Sequence, residues 1–144
     1  MNISQLPKYV NAIANMARWS QTTFIRTYYK FKPHMIEKKV KKLAQHPKVD
    51  GVFVTSETDN PKMNHLHLAI AGKKLSRDEV GAAMNLKTEF IGNIEPIRGK
   101  KQTLQYISKQ LTRQERYIDA YHDLFINSKT QKNEIYTCPE VLKD

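Results

Sequence analysis

Two histidines separated by a single residue, His65 and His67, are the side chains of this 144-residue chain best suited to chemistry. If residues 64–70 form a β-strand, successive side chains alternate between its faces, so both imidazoles project from one face. Leu66 and Leu68 would then point the other way, into a core. Neutral imidazoles are common ligands of divalent metal ions. The pair therefore predicts a metal site on an open sheet face, although two polar residues on a solvated strand would show the same pattern.

A carboxylate, Glu57, completes a possible ligand set from a second strand-like run at residues 51–57. The polar connection at residues 58–62 favours a hairpin, which places Glu57 near the turn and across from His65. One carboxylate and two imidazoles form a mixed oxygen and nitrogen site, suited to Mn²⁺ or Mg²⁺ with positions left for phosphate oxygens. We therefore expect Glu57, His65 and His67 to bind one divalent metal ion.

Tyr106 and Lys109 are the candidate catalytic pair. A helix predicted over residues 100–112 places both on a polar stripe opposite its apolar stripe. The apolar stripe consists of Leu104, Ile107 and Leu111. A neighbouring cation lowers the cost of forming a phenolate and can hold a phosphate oxygen. The spacing thus indicates a nucleophilic tyrosine assisted by a lysine, while an exposed tyrosine beside an exposed lysine is the alternative.

The charge balance favours a polyanionic partner. Lys and Arg number 24 against 14 Asp and Glu, a formal net charge of +10. Nucleic acid fits this excess better than an anionic membrane surface. A solvated helix face is the alternative interpretation of the basic run at residues 38–42. The predicted DNA contacts are Arg26, Lys38, Lys41, Lys101 and Arg113.

Cysteine content and hydropathy bear on the compartment. The single cysteine, Cys138, forms no disulfide framework, so a reducing compartment is expected. No apolar run approaches the roughly 18 residues of a membrane span, and polar residues interrupt the N-terminal apolar positions, unlike a signal peptide. We expect a cytoplasmic protein that does not enter a membrane.

The order of predicted elements is typical of an α+β domain with a mostly antiparallel central sheet and flanking helices. Ser76 and Glu79 form a capping box that starts a short helix. The remaining predicted elements are helices over 5–19, from Pro33, over 100–111 and over 114–127, and strands over 22–29, 51–57, 63–71 and 91–97. We expect one domain over residues 1–127, with an N-terminal helix in 1–20 and a catalytic core in 22–112, followed by a polar tail over 128–144.

The combination of these residues resembles the HUH endonucleases, the replication-initiator (Rep) nucleases of rolling-circle plasmids and of single-stranded DNA viruses and phages. Residues 23–28 resemble the family's hydrophobic first motif, and His65-Leu66-His67 resembles its histidine–hydrophobic–histidine motif. Glu57 stands where Rep proteins carry an acidic ligand, and Tyr106-Ile107-Ser108-Lys109 resembles the Tyr-x-x-Lys motif. The resemblance covers residues 22–112 and matches the class with a single tyrosine.

The resemblance implies an HUH/RRM-like fold and sequence-specific, metal-dependent nicking and joining of single-stranded DNA. The metal ion would polarise the scissile phosphate, and Tyr106 would attack it, leaving a 5′-phosphotyrosine and a free 3′-OH that primes rolling-circle replication. The expected partners are single-stranded DNA at a replication origin and the helicase and polymerase of the host, because the chain has no Gly-x-x-x-x-Gly-Lys loop of a fused helicase.

Two alternative functions fit the same residues. A single-tyrosine transposase of the insertion-sequence type shares the motifs, but such enzymes place a longer interval between the histidines and the tyrosine and commonly follow the tyrosine with glutamine. Here Tyr106 comes 39 positions after His67 and is followed by Lys109, which favours a Rep nuclease. The second alternative is a basic DNA-binding module without catalysis, in which the five site residues coincide by chance.

Overall fold

The computed structural model describes residues 6–27, 33–57, 64–114, 122–126 and 135–136. Its helices are α1 (Leu6–Met16), α2 (Pro33–Ala44), α3 (Arg77–Met84) and α4 (Gly99–Gln114), with a 3-10 helix at Thr88–Phe90. Its strands are β1 (Trp19–Thr27), β2 (Val49–Glu57), β3 (Asn64–Gly72), β4 (Glu95–Pro96), β5 (His122–Ile126) and β6 (Ile135–Tyr136). None of the helices within these ranges is both long and apolar enough to cross a membrane.

The six strands form one sheet in the order β4-β1-β3-β2-β5-β6, and every pair of neighbours is antiparallel. This arrangement confirms the predicted α+β class with an antiparallel central sheet. The predicted hairpin partners β2 and β3 pair along their length. Because β1 hydrogen-bonds to its other side, β3 is an interior strand whose backbone position is fixed from both directions.

Two hydrophobic clusters lie on opposite faces of the sheet, because side chains alternate along β3. The face that α2 and α3 cover, here called the α2–α3 face, holds the buried side chains of Leu66, Leu68 and Ile70. The opposite α1–α4 face holds Ala69 and Ala71, which pack with apolar residues of α1 and α4. His65 and His67 have the same parity as these alanines. The histidine pair therefore lies on the α1–α4 face, beyond the small residues over which the two helices pack.

The predicted capping box starts α3. The backbone N–H of Glu79 donates to Ser76 Oγ at 3.1 Å, and the Ser76 N–H donates to Glu79 Oε1 at 3.0 Å. Lys48 Nζ also contacts Glu79 Oε2 at 2.7 Å, and this hydrogen bond is the main reason that the pKa of Glu79 is lowered. The contacts join the start of α3 to the start of β2, which closes the α2–α3 face.

The predicted bounds of the first helix, the first strand and the edge strand differ from those of the structure. α1 ends at Met16, and β1 begins at Trp19 instead of 22. The Trp19 indole donates to the Ile13 carbonyl at 2.8 Å, which satisfies a carbonyl at the helix end and turns the chain into the sheet. The predicted strand over 91–97 is reduced to Glu95–Pro96 and one bridge from Ile91, since proline has no N–H with which to extend the ladder. Residues 28–29 of the predicted first strand lie outside the described residues.

The predicted helix over 114–127 is wrong at residues 122–126. Residues 122–126 form β5, which pairs with residues 51–55 of β2. The apolar residues of this segment fit both a helical and a strand period, and the unpaired edge of β2 decides between them, because its backbone groups require partners. Residues 115–121 lie outside the described residues. Two residues of the predicted tail, Ile135 and Tyr136, pair with β5.

The register of β3 predicts that substitutions on its two faces lower the free energy of unfolding by different amounts. Leu68 is fully buried, so Leu68→Ala should lower the free energy of unfolding by about 2–5 kcal/mol through lost contacts and a cavity. His65 is only half-buried, so His65→Ala should change it by less than about 1 kcal/mol. Denaturant unfolding of both variants measures the difference. Equal losses, or a larger loss for His65→Ala, would show that the faces of β3 are wrongly assigned.

Candidate metal and nucleophile site

The two imidazoles stand side by side on the α1–α4 face. The ring centroids of His65 and His67 are 6.4 Å apart, with the ring planes inclined by 32°. Both residues are half-buried, and the Nε2 atom of His67 is shielded from solvent. The shared face expected from strand alternation is confirmed. Because β3 is held on both sides, the spacing of the rings is set by the backbone of the sheet.

On the β1 side, the Cα partners of His65 and His67 are Arg26 and Phe24. The Phe24 ring meets the His65 imidazole edge-on, with centroids 6.1 Å apart and planes at 60°. The Arg26 guanidinium carbon lies 5.3 Å from the Phe24 ring centroid, within the range of a cation–π contact. Arg26, a predicted DNA contact, is thus exposed beside the histidines. Phe24 was missed in the sequence, although its parity with Arg26 on a strand would have indicated it.

On the β2 side, Glu57 and Thr55 are the Cα partners of His65 and His67. The predicted position of Glu57 across from His65 is therefore confirmed for the backbone, and its side chain lies outside the described part. Among the side chains that are described, no group of three or more His, Cys, Asp or Glu could hold a metal ion. Two adjacent imidazoles with a carboxylate residue at the neighbouring register position suit a divalent ion that takes nitrogen and oxygen ligands.

Helix α4 brings Tyr106 over the same face. The Tyr106 hydroxyl lies 3.4 Å from the Leu68 carbonyl oxygen, a long hydrogen bond that places the phenol one residue along β3 from His67. The predicted position of Tyr106 on an exposed polar stripe is wrong, because its ring is half-buried and packs against the cluster of the α1–α4 face. Lys109, three residues on, is exposed as expected. The helix therefore presents the phenol to the sheet and the lysine to solvent.

A buried polar contact fixes α4 on the sheet. The Thr55 hydroxyl donates to Gln110 Oε1 at 3.3 Å, and both side chains are buried. Thr55 is the cross-strand partner of His67, and Gln110 lies one turn after Tyr106. The contact thereby fixes α4, which carries Tyr106, beside the residue of β2 that pairs with His67. Gln110 was not singled out in the sequence, although it follows Thr103 and Ile107 at helical spacing on the buried face.

The remaining predicted DNA contacts lie elsewhere. Lys38 and Lys41 are on α2, which covers the opposite face, and Lys41 pairs with Glu37 at 3.0 Å. Lys101 is exposed in the first turn of α4, and the side chain of Arg113 lies outside the described part. Lys39, within the same basic run, has its pKa lowered by burial and then by the charges of Lys42 and Lys38. Of the five predicted DNA contacts, the structure places Arg26 beside the histidines.

Comparison with protein-family models, with characterised proteins and with solved structures gives no match for this chain. The resemblance to HUH nucleases therefore rests on the residues of the sequence motifs. In the structure, three of these residues lie on the α1–α4 face of the sheet, namely His65, His67 and Tyr106.

Gly92 tests whether Phe24 positions the His65 ring. The Gly92 N–H donates to the Phe24 carbonyl at 2.7 Å, and a Cβ on Gly92 would overlap the Phe24 ring. Gly92→Ala should therefore displace the ring, lower the free energy of unfolding by about 1–3 kcal/mol and shift the imidazole NMR signals of His65. The double variant Gly92→Ala/Phe24→Leu should recover part of the stability. Asn93→Ala, at an exposed neighbour, is the control, and unchanged His65 signals in Gly92→Ala would refute the contact.

Proposed function

We propose that this protein is a metal-dependent endonuclease that nicks and rejoins single-stranded DNA through a 5′-phosphotyrosine, as a single-tyrosine replication initiator of the HUH type. The observation that carries the proposal is the position of the Tyr106 phenol. It lies over β3, one residue from His67, on the face that both imidazoles occupy. A nucleophile and a pair of metal-binding side chains then face the same space, which is what attack on a polarised phosphate requires.

The residues that would hold the metal ion are Glu57, His65 and His67. A bound Mn²⁺ or Mg²⁺ would supply positive charge that polarises the scissile phosphate and stabilises the charge of the transition state. Arg26 places a further cation at the level of His65, where it can contact a neighbouring phosphate. Phe24, between Arg26 and the imidazoles, offers an aromatic ring on which an unpaired base can stack.

Tyr106 and Lys109 carry out the covalent step in this proposal. The Tyr106 oxygen bonds to phosphorus, and the bond between phosphorus and the 3′ oxygen breaks. The phenol loses its proton to solvent, and the departing 3′ oxygen takes up a proton to become the 3′-OH. Lys109 lies one helical turn from Tyr106 and is exposed, so it can hold a phosphate oxygen. Attack by a 3′-OH on the phosphotyrosine reverses the step and joins two ends.

Two features support single-stranded DNA at a replication origin as the substrate. The formal net charge is +10, which favours a polyanion. The Tyr106 ring is half-buried against the sheet, so the phosphate must approach the surface of the sheet closely. An unpaired strand can bend to make that approach and can turn its bases towards the protein. Helicase and polymerase would then be supplied by other proteins.

Metal binding should depend on both histidines. In calorimetric titrations with Mn²⁺, His65→Ala and His67→Ala should each weaken binding at least about tenfold, because each removes an imidazole ligand. His46→Ala is the matched control, since the His46 ring accepts a hydrogen bond from the Lys48 N–H at 3.1 Å, before β2 begins. If both site variants bind Mn²⁺ like the parent protein, the metal assignment is wrong.

The covalent step should depend on one phenol. Incubation with mixed single-stranded oligonucleotides and Mn²⁺ should give a DNA-shifted protein band on a denaturing gel. Tyr106→Phe removes only the hydroxyl, so the band should vanish while the affinity for Mn²⁺ is retained. Lys109→Ala should slow formation of the band by about 10²-fold, the usual effect of losing one group that stabilises transition-state charge.

Tyr9→Phe is the matched control and should form the band at the parental rate. A band that persists in Tyr106→Phe would assign the nucleophile to another residue. DNA binding with no band in the parent protein would favour the DNA-binding module.

A further inference from the structure

Two cavities lie at the start of β1, at the end of the strand remote from the histidines. The larger, about 830 Å³, lies between the end of α1 and the start of α4. The smaller, about 330 Å³, lies between β1 and the segment after β3. Ser20 lines both, so the two cavities are neighbours at this residue. Ser20 is also the extra residue of a β-bulge opposite Ala71 and Ile70, a local irregularity that bends the strand at this point.

Four exposed cations line these cavities. Arg18 and Lys100 line the larger one, and Lys74 and Arg98 line the smaller one. Within the described part of the chain none of the four forms an ion pair, and no carboxylate lines either cavity. The floors are apolar. They include Met16, Ala17 and Ile97 in the larger cavity, and Ile94 and Pro96 in the smaller.

Two polar side chains in the walls, those of Ser20 and Gln21, are already hydrogen-bonded to the backbone, and Asn15 is a third polar lining residue. Ser20 Oγ lies 3.2 Å from the Ile70 carbonyl oxygen and 2.9 Å from that of Gly72. The Gln21 amide donates to the Lys73 carbonyl at 2.8 Å and accepts from the Leu75 N–H at 2.9 Å. The surface therefore offers charge and apolar contact but few free groups with which to identify a base. Such a surface binds phosphates and bases with little dependence on sequence.

The cavities lie within reach of single-stranded DNA that occupies the α1–α4 face beside the histidines. Ser20 and Arg26 are six residues apart on β1, which corresponds to roughly 20 Å along the strand. At about 3.4 Å or more for each nucleotide, this distance corresponds to at most about six nucleotides. Cavities of this size admit a small organic group, and only an unpaired strand can insert a base into them, because a duplex keeps its bases stacked inside.

We propose that the paired cavities at the start of β1 bind single-stranded DNA at a second position, a few nucleotides from the phosphate that Tyr106 attacks. The proposal rests on the proposed nuclease function for the identity of the polyanion. Arg18, Lys74, Arg98 and Lys100 contact the phosphates, and the apolar floors accept one or two bases. The second position lengthens the footprint on DNA without adding sequence specificity.

Fluorescence anisotropy with oligothymidylates of 3 and 20 nucleotides tests the proposal on the full chain. The parent protein should bind the 20-mer more tightly. Lys74→Gln/Arg98→Gln should weaken binding of the 20-mer about tenfold and leave binding of the 3-mer within about twofold, since a 3-mer is too short to span the roughly 20 Å between the two positions. Loss of two phosphate contacts should also reduce the slope of log affinity against log salt by about 1.4 for the 20-mer.

The matched control is Lys42→Gln/Lys87→Gln, which removes the same charge from exposed positions on α2 and after α3. If both double variants weaken binding of the 20-mer equally, the loss of affinity comes from the change in net charge, and the second position is refuted. If Lys74→Gln/Arg98→Gln weakens binding of a 20-base-pair duplex as much as binding of the single-stranded 20-mer, the preference for single strands is also refuted.

The covalent band of Lys74→Gln/Arg98→Gln with short oligonucleotides separates this proposal from the nuclease function. A normal band together with loss of the length advantage supports both. Loss of the length advantage without any band in the parent protein supports the second position as a DNA site and overturns the nuclease. A normal band with the length advantage intact overturns the second position alone.

Discussion

The alternation of side chains along β3 is the constraint on which the site depends. Leu66 and Leu68 are buried on the α2–α3 face, so a register shift by one residue would expose them and bury both histidines. The apolar core thus fixes the direction of the imidazoles, and pairing with β1 and β2 on both sides prevents the strand from slipping. The energy that holds the histidines in place on the α1–α4 face comes largely from burial on the opposite face.

Packing and one buried hydrogen bond hold α4 against the sheet. Ala69 and Ala71 keep the α1–α4 face flat where α1 and α4 pack, and the buried contact between Thr55 and Gln110 sets the position of α4. Tyr106 then lies between the packed part of that face and the histidines. Phe24, pressed against Gly92, borders the site on the β1 side. The proposed functional residues are held by rigid strands and one helix, which would suit a reaction that needs a defined angle of attack.

Sequence patterns predicted correctly those parts of the structure that depend on a single local pattern. Strand alternation placed His65 and His67 together, the polar turn placed Glu57 across from His65, and Ser76 with Glu79 marked the start of α3. Sequence-based predictions were wrong where tertiary contacts determine the secondary structure or the burial of a residue. Residues 122–126 are a strand because the edge of β2 needs a partner. Tyr106 is half-buried because its ring packs against the cluster of the α1–α4 face, a contact that helix periodicity alone does not specify. Gln110 acquires its role only through a contact 55 residues away in the chain.

If the proposed metal ligands and nucleophile share one face of the sheet, an ion bound by the histidines must also lie near the Tyr106 ring. Paramagnetic broadening of NMR signals by Mn²⁺ measures this proximity, because broadening falls steeply with distance from the ion. We expect the strongest broadening at His65 and His67, clear broadening at the Tyr106 ring, and sharp signals for Leu75 and Val80 on the α2–α3 face. Broadening centred on Asp78 and Glu79, with the Tyr106 signals unaffected, would show that the ion binds elsewhere and that the shared face is not a metal site.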